Sequence, residues 1–263
     1  MEIEFSGKVV WMSGAASGMG LLFAKNFVSL GGSAVMSDIN PEALSAAVAE
    51  VNAIREGSAI GVLCDVRNYE EVARACDEAV RVFGRIDVVI PFAGGAELRM
   101  LGISGKLEFP DIPIEVFDWS IDVNLRGQLY FAHAAMKVMR EQKSGVVITI
   151  GSITGEEGSP NNVGYAATKS AAMNGLVKSL AQFGGKYGIR ACCVAPGPVM
   201  TRSAMANMAT LMGRAADPQE MIDLMLFLAS DHAAFITGTT ILADGGRNVM
   251  FYKTYKKFAE EKK

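Results

Sequence analysis

Histidine is nearly absent: His133 and His232 are the only two in 263 residues. Neither has a partner at metal-ligand spacing, so both read as structural residues and no metal site is expected. Cysteine is sparse too. Cys64, Cys76, Cys192 and Cys193 show no C-x-x-C spacing, and the last two sit inside an apolar run. That pattern predicts buried thiols without disulfides, in a reducing, cytoplasmic protein. No apolar run approaches the roughly 18 residues a membrane span needs. The opening residues Met1-Glu2-Ile3-Glu4-Phe5 are acidic and do not read as a signal peptide. Basic excess is missing as well: the net charge is -3, which leaves no electrostatic footprint for nucleic acid. What remains is a chain that is 50% hydrophobic and 20% charged. That is enough apolar residue for a sizeable core, and it argues against disorder.

The apolar residues fall into a rhythm. Strands are predicted at Lys8–Met12, Ser33–Ser37, Ala59–Leu63, Ile86–Ile90, Gly145–Ile150, Arg190–Val194 and Thr239–Leu242. Amphipathic helices alternate with them, over about 41–55, 69–83, 114–140, 162–187 and 218–230. Strand and helix in alternation is the signature of a parallel sheet built from βαβ units, whose strand ends share one ligand-binding edge. The segment Ala96 to Pro113, with Gly102, Gly105, Pro110 and Pro113, breaks the rhythm and reads as a long loop at that edge. No linker divides the chain, so one domain spans 1–263, with an aromatic tail over 247–263. In that tail Phe251, Tyr252, Tyr255, Phe258 and Ala259 form one face of a short helix opposite Lys253, Lys256 and Lys257. Such a face predicts packing against a neighbouring or the same subunit.

Three features carry chemistry. The first strand runs into Gly14-x-x-x-Gly18-x-Gly20, with Ser17 and Met19 inside the turn, and then into a helix. Glycines in that context let a pyrophosphate approach the backbone and the free helix N-terminus. Asp38 ends the second strand, where a carboxylate can accept from ribose hydroxyls and repel a 2′-phosphate; with no Arg or Lys adjacent, NAD is favoured over NADP. A role for Asp38 as cap of the helix near Pro41 is compatible with this. Asp65, ending the third strand, reads either as a partner for the adenine amino group or as a cap. Finally, Tyr165 and Lys169 are one helical turn apart on the same face. A fixed ammonium beside a phenol lowers the phenol's pKa and makes the pair a general acid/base.

Taken in order, Gly14-x-x-x-Gly18-x-Gly20, Asp38, Asp65-Val66, Ala93-Gly94, Asn124, Ser152, Tyr165-x-x-x-Lys169, Pro196-Gly197 with Thr201, and Ile236-Thr237-Gly238 before Asp244-Gly245-Gly246 resemble the short-chain dehydrogenases/reductases. The resemblance covers nearly the whole chain. It implies a doubly wound, parallel seven-stranded sheet of order 3-2-1-4-5-6-7 with helices on both faces, a Rossmann-like fold. It also implies a homotetramer and roles for named residues. Tyr165 exchanges a proton with the substrate oxygen and Ser152 holds that oxygen. Lys169 lowers the Tyr165 pKa and binds the nicotinamide ribose. Asn124 holds a water that links Lys169 to solvent, and Val199 and Thr201 contact the carboxamide. The family usually carries Asn-Asn-Ala-Gly where this chain has Pro91-Phe92-Ala93-Gly94, so the amides that tie neighbouring strands are missing. Ser13 keeps the hydroxyl of the family's usual Thr.

The expected substrate is a small molecule, a secondary alcohol or its ketone. Met200, Met205, Met208 and Met212, with Met100, Leu101 and Ile103, favour a bulky apolar substrate, hydroxysteroid-like or alicyclic. Met221 and Met225 read as core. Arg99, Lys106 and Arg202 keep a polyol or sugar open. An NADPH-dependent 3-oxoacyl reductase and a non-catalytic dinucleotide-binding protein are further readings. Glu156 and Glu157 read as a solvated loop pair.

Overall fold

A computed structural model describes residues 2–103 and 107–250. Gly105, Lys106 and the predicted helical face of the tail lie outside the described residues.

Seven strands form the sheet: β1 (Val9–Ser13), β2 (Ser33–Asp38), β3 (Ala59–Leu63), β4 (Val88–Pro91), β5 (Gly145–Ile150), β6 (Ile189–Pro196) and β7 (Thr239–Ala243). Their order is β3-β2-β1-β4-β5-β6-β7 and every pairing is parallel. The chain steps outward from β1 to β3 and then returns to β4 on the other side of β1. That reversal opens a crevice above the strand ends, the usual ligand position in such sheets.

Alternation along each strand feeds two apolar layers. Val10 and Met12 of β1 pack with Phe23, Phe27, Met225 and Leu226 on one face. Val9 and Trp11 pack with Phe131, Met139 and Val177 on the other. Both layers are covered by helices, so β1 is buried at all five positions, whereas the edge strands β3 and β7 are only partly buried. Trp11 stacks on Phe131 with ring centroids 4.2 Å apart, and its indole N–H donates to Ser37 Oγ at 3.1 Å. Met221 and Met225 are core residues, and all four cysteines are buried and free.

The helices are α1 (Gly18–Ser29), α2 (Pro41–Asn52), α3 (Tyr69–Phe83), α4 (Glu97–Met100), α5 (Ile114–Ile121), α6 (Gly127–Gln142), α7 (Thr154–Glu157), α8 (Val163–Ala171), α9 (Val177–Gly184) and α10 (Pro218–Ala229). Several sequence expectations are corrected here. The cap of α2 is Asn40, whose side chain accepts from Ala43 N–H at 3.0 Å, and not Asp38. Asn reaches the first-turn amides from the residue directly before Pro41, which Asp38 is too far upstream to do. The helix expected over 114–140 is continuous in direction but carries a π turn at Asp122–Arg126 between α5 and α6. A second π turn, Ala172–Leu176, interrupts the Tyr165 helix between α8 and α9. One extra residue in a turn scarcely disturbs apolar periodicity, so neither was visible as a break. The segment 96–113 is not all loop, since it contains α4 and a 3₁₀ turn at Phe109–Asp111. Glu156 and Glu157 belong to α7, and Glu157 pairs with Arg247 rather than standing free.

His133 sits on α6 with Nδ1 2.7 Å from the Tyr69 hydroxyl; His232 Nε2 lies 2.9 Å from the Glu2 carbonyl. No helix among the described residues is long and apolar enough to cross a membrane.

Candidate active site

Above the switch point lies one cleft of about 870 Å³. Every residue singled out from the sequence for the dinucleotide or the chemistry lines it except Asn124, which is fully buried behind the wall.

One half of the cleft is backbone. Ser17 precedes α1 in extended conformation and makes no side-chain cap bond, which leaves first-turn amides unpartnered. Gly14 adopts φ +61°, and a Cβ there would stand 2.7 Å from Ala93 N. A Cβ on Gly18 would meet nothing within 4 Å, so the turn faces open space. The helix dipole and these N–H groups suit a diphosphate. Asp38 is held against the turn: its Oδ2 accepts from Ala16 N–H and its Oδ1 from Asn40 N–H, both at 3.1 Å. Asp65 is engaged by Arg67 through a 2.6 Å ion pair, and that hydrogen-bonded partner holds its carboxyl below the usual range. An open, glycine-floored turn, bare amides and a fixed carboxylate together fit a nicotinamide dinucleotide.

Beyond β4 the chain is tied back to β1. Ser13 accepts Phe92 N–H at its carbonyl (3.0 Å) and Ala93 N–H at its hydroxyl (3.2 Å). Pro91 needs no donor in that arrangement, and Phe92 turns into the core against Phe23.

The other half is side chain. Ser152 stands just past β5, and its Oγ accepts from Thr154 N–H at 3.1 Å. Tyr165 and Lys169 rise from α8, with Lys169 Nζ 5.5 Å from the Tyr165 ring centroid and donating to the Ile150 carbonyl at 2.9 Å. Burial pulls the Lys169 ammonium down to about 8. Burial also pushes the Tyr165 phenol up, against an opposite pull from the Ser152 hydroxyl and the charges of Arg99 and Arg202. The groups that pull Tyr165 down here are Ser152, Arg99 and Arg202, and Lys169 Nζ faces the same ring. Lys169 is engaged with a carbonyl and is itself short of solvation.

Behind this wall runs a polar network the sequence did not disclose. Glu97 of α4 is fully buried, accepts Tyr165 N–H at 3.0 and 3.2 Å, and accepts the Ser120 hydroxyl at 3.3 Å. It thus caps the helix that carries Tyr165. Asn124 donates to Ser120 Oγ (3.2 Å) and to the Gly95 carbonyl (3.1 Å), and accepts Gly95 N–H (2.9 Å). The π turn presents the Asn124 carbonyl to Gln128 Nε2 at 2.7 Å, and Gln128 also bonds both the N–H and the carbonyl of Ile150. Glu97 sits in a segment that reads as loop and Gln128 lies within the predicted 114–140 helix; only the fold shows that both are buried. Of the methionines, Met100, Met205 and Met208 line the cleft, while Met200 and Met212 face solvent.

A strand-end cleft with a bare glycine turn at one end and a Ser-Tyr-Lys set at the other defines a dinucleotide-dependent oxidoreductase of the short-chain type. A family model described as "Enoyl-(Acyl carrier protein) reductase" matches residues 14–248, and the chain belongs to the short-chain dehydrogenase/reductase family. It is 35% identical over 248 residues to the trans-4-hydroxycyclohexanecarboxylate dehydrogenase of Sinomonas cyclohexanicum, covering 91% of this chain and 92% of that one. Among solved structures, NAD+-bound xylitol dehydrogenase is similar with a TM-score of 0.83 at 26% identity, covering 92% and 99% of the two chains. A 7α-hydroxysteroid dehydrogenase complexed with NADH and 7-oxo glycochenodeoxycholic acid is similar with a TM-score of 0.82 at 27% identity, covering 93% and 96%. The chain is an oxidoreductase acting on alcohol or ketone substrates.

Proposed function

We propose that this protein is an NAD(H)-dependent dehydrogenase that interconverts an alicyclic secondary alcohol and its ketone. The observation that carries the reading is the single cleft joining the Gly14–Gly20 turn and Asp38 to Ser152, Tyr165 and Lys169. Bound there, the dinucleotide would supply the hydride acceptor or donor. The turn residues Gly14, Ser17, Gly18, Met19 and Gly20 would hold its diphosphate, Asp38 the adenosine ribose, and Asp65 with Val66 the adenine. Ala93, Gly94, Pro196, Gly197, Val199 and Thr201 would line the nicotinamide end.

The chain's own part is to orient the substrate and move a proton. Ser152 holds the reacting oxygen by a hydrogen bond. Tyr165 takes its proton in the oxidative direction and returns one in the reductive direction. Lys169 binds the nicotinamide ribose, and Asn124 supports the path from Lys169 to solvent. Met100, Met205 and Met208 offer an adaptable apolar wall to a ring. Asn162, also in the wall, has an Oδ1 without a hydrogen-bond partner, free to accept from a ligand.

NAD rather than NADP is supported by Asp38, whose charge is fixed at the turn and disfavours a 2′-phosphate. The alicyclic class is supported by the relatives named for a hydroxycyclohexanecarboxylate and a hydroxysteroid. We further place the enzyme in the cytoplasm, as a homotetramer of single-domain subunits; light scattering checks the assembly. The test of function is turnover with NAD of a cyclohexanol, a steroid alcohol and a cyclic polyol. Activity confined to the polyol would contradict the apolar class. Asp38→Ala is expected to shift the NAD/NADP ratio by roughly tenfold, the scale of one charge contact at a partly exposed site. An unchanged ratio would contradict the NAD assignment.

A further inference from the structure

Two guanidinium groups line the cleft, and beyond their pull on the Tyr165 phenol they have no role in the account above. Arg99 follows β4 and Arg202 follows β6, and both line the cleft with Tyr165. Because β5 lies between β4 and β6, these arginines flank the strand whose end carries Ser152. Arg99 is folded back over the cleft floor: its Nη2 lies 2.6 Å from the place a Cβ on Gly95 would occupy, at a residue with φ +155°. Arg202 Nη2 has a methionine sulfur, Met205 Sδ, at 3.7 Å.

Seven other arginines, Arg67, Arg81, Arg85, Arg126, Arg140, Arg214 and Arg247, pair with carboxylates, and Arg55 and Arg190 donate to backbone carbonyls. Among the described residues no Asp or Glu forms an ion pair with Arg99 or Arg202. Each instead feels Tyr165, and Arg99 feels the charge of Arg202. Two like charges held over one concave, partly apolar surface repel one another, and arginine cannot relieve this by losing its proton. An anion between them reverses the sign of that interaction. The planar fork of arginine fits a carboxylate with paired hydrogen bonds.

We propose that Arg99 and Arg202 form a carboxylate-binding site for the substrate, which is accordingly a hydroxy acid or oxo acid. Its ring lies against Met100, Met205 and Met208, and its carboxylate lies apart from the reacting carbon. This rests on the dehydrogenase reading and narrows it to an anionic substrate.

The test uses the full chain with NAD and two probes that cannot react, cyclohexanecarboxylate and its methyl ester, titrated by calorimetry. The acid is expected to bind at least roughly tenfold more tightly than the ester, with the advantage shrinking as salt is raised. In the double variant R99M/R202M, whose folding is checked by its melting temperature, the acid-to-ester ratio should fall to about one. Equal binding of acid and ester to the unmodified chain, or a ratio the variant leaves unchanged, overturns the site. Inorganic phosphate that displaces the acid at lower concentration than acetate also overturns it, since the anion would then be phosphoryl. Turnover of neutral cyclohexanol with NAD is measured in parallel. If it persists while acid and ester bind alike, only the arginine site fails; if dinucleotide binding and all turnover are absent, the dehydrogenase reading fails and takes this site with it.

Discussion

The two halves of the cleft are made of different material. The dinucleotide half is backbone: a glycine turn, first-turn amides and one carboxylate fixed by two N–H groups. The substrate half is long side chains on short elements, with Arg99 on the four-residue α4 and Arg202 just past Thr201. Backbone tolerates no change at a close approach, whereas a side chain on a short element can be exchanged without disturbing the sheet. The difference teaches where a binding specification is fixed by the fold and where it is set by a few replaceable atoms.

Lys169 stands between the halves and gives the largest expected effect. Its amine falls from 10.5 to about 8 on folding because burial disfavours its charge. Between about 8 and 10.5 the unfolded chain therefore binds more protons than the folded one, and this group makes stability rise with pH across that window. The contribution is about 3 kcal/mol at most. Urea unfolding of the parent and of Lys169→Met at both ends of the window should differ by that rise, present only in the parent. The comparison cancels Cys64 and Cys76, which are pushed up to about 12 in both proteins and act with the opposite sign.

Gly14→Ala attacks the backbone half. It places a Cβ 2.7 Å from Ala93 N at a positive φ, which is expected to cost about 2 kcal/mol and to weaken NAD binding at the same time. Denaturation and NAD fluorescence titration check both; unchanged binding would mean the turn does not hold the diphosphate.

Glu97→Gln attacks the side-chain half alone. It removes the charge at the start of α8 while keeping the shape, and about 1 kcal/mol of stability should go with it. Turnover should fall and NAD binding should hold, because Glu97 touches the Tyr165 amide and not the turn. A parallel loss of NAD binding would show that the halves are not separable.

Legibility follows the same division. Gly14, Gly18, Gly20, Asp38 and the Tyr165–Lys169 spacing were readable because local geometry dictates those residue types. The alternation gave the parallel sheet, and the strand order came from the family resemblance. Glu97, Gln128 and the Arg99–Arg202 pairing were not readable as a site, since a buried polar residue and a solvated one look alike until the fold brings their partners in. The pull of Arg99 and Arg202 on Tyr165 was hidden for the same reason: both are distant from it in sequence and near it in space. Helix-capping at Asn40 rather than Asp38 turned on two residues, finer than apolar periodicity resolves.

The most direct measurement is the appearance of reduced dinucleotide when the protein, NAD and a 4-hydroxycyclohexane substrate are mixed, run beside Tyr165→Phe. The parent should turn over, and the variant should bind NAD yet lose roughly 10²- to 10⁴-fold in rate, the usual contribution of a positioned acid/base. A variant that oxidises the alcohol as fast as the parent would contradict the account, because the proton would then be leaving by some other group.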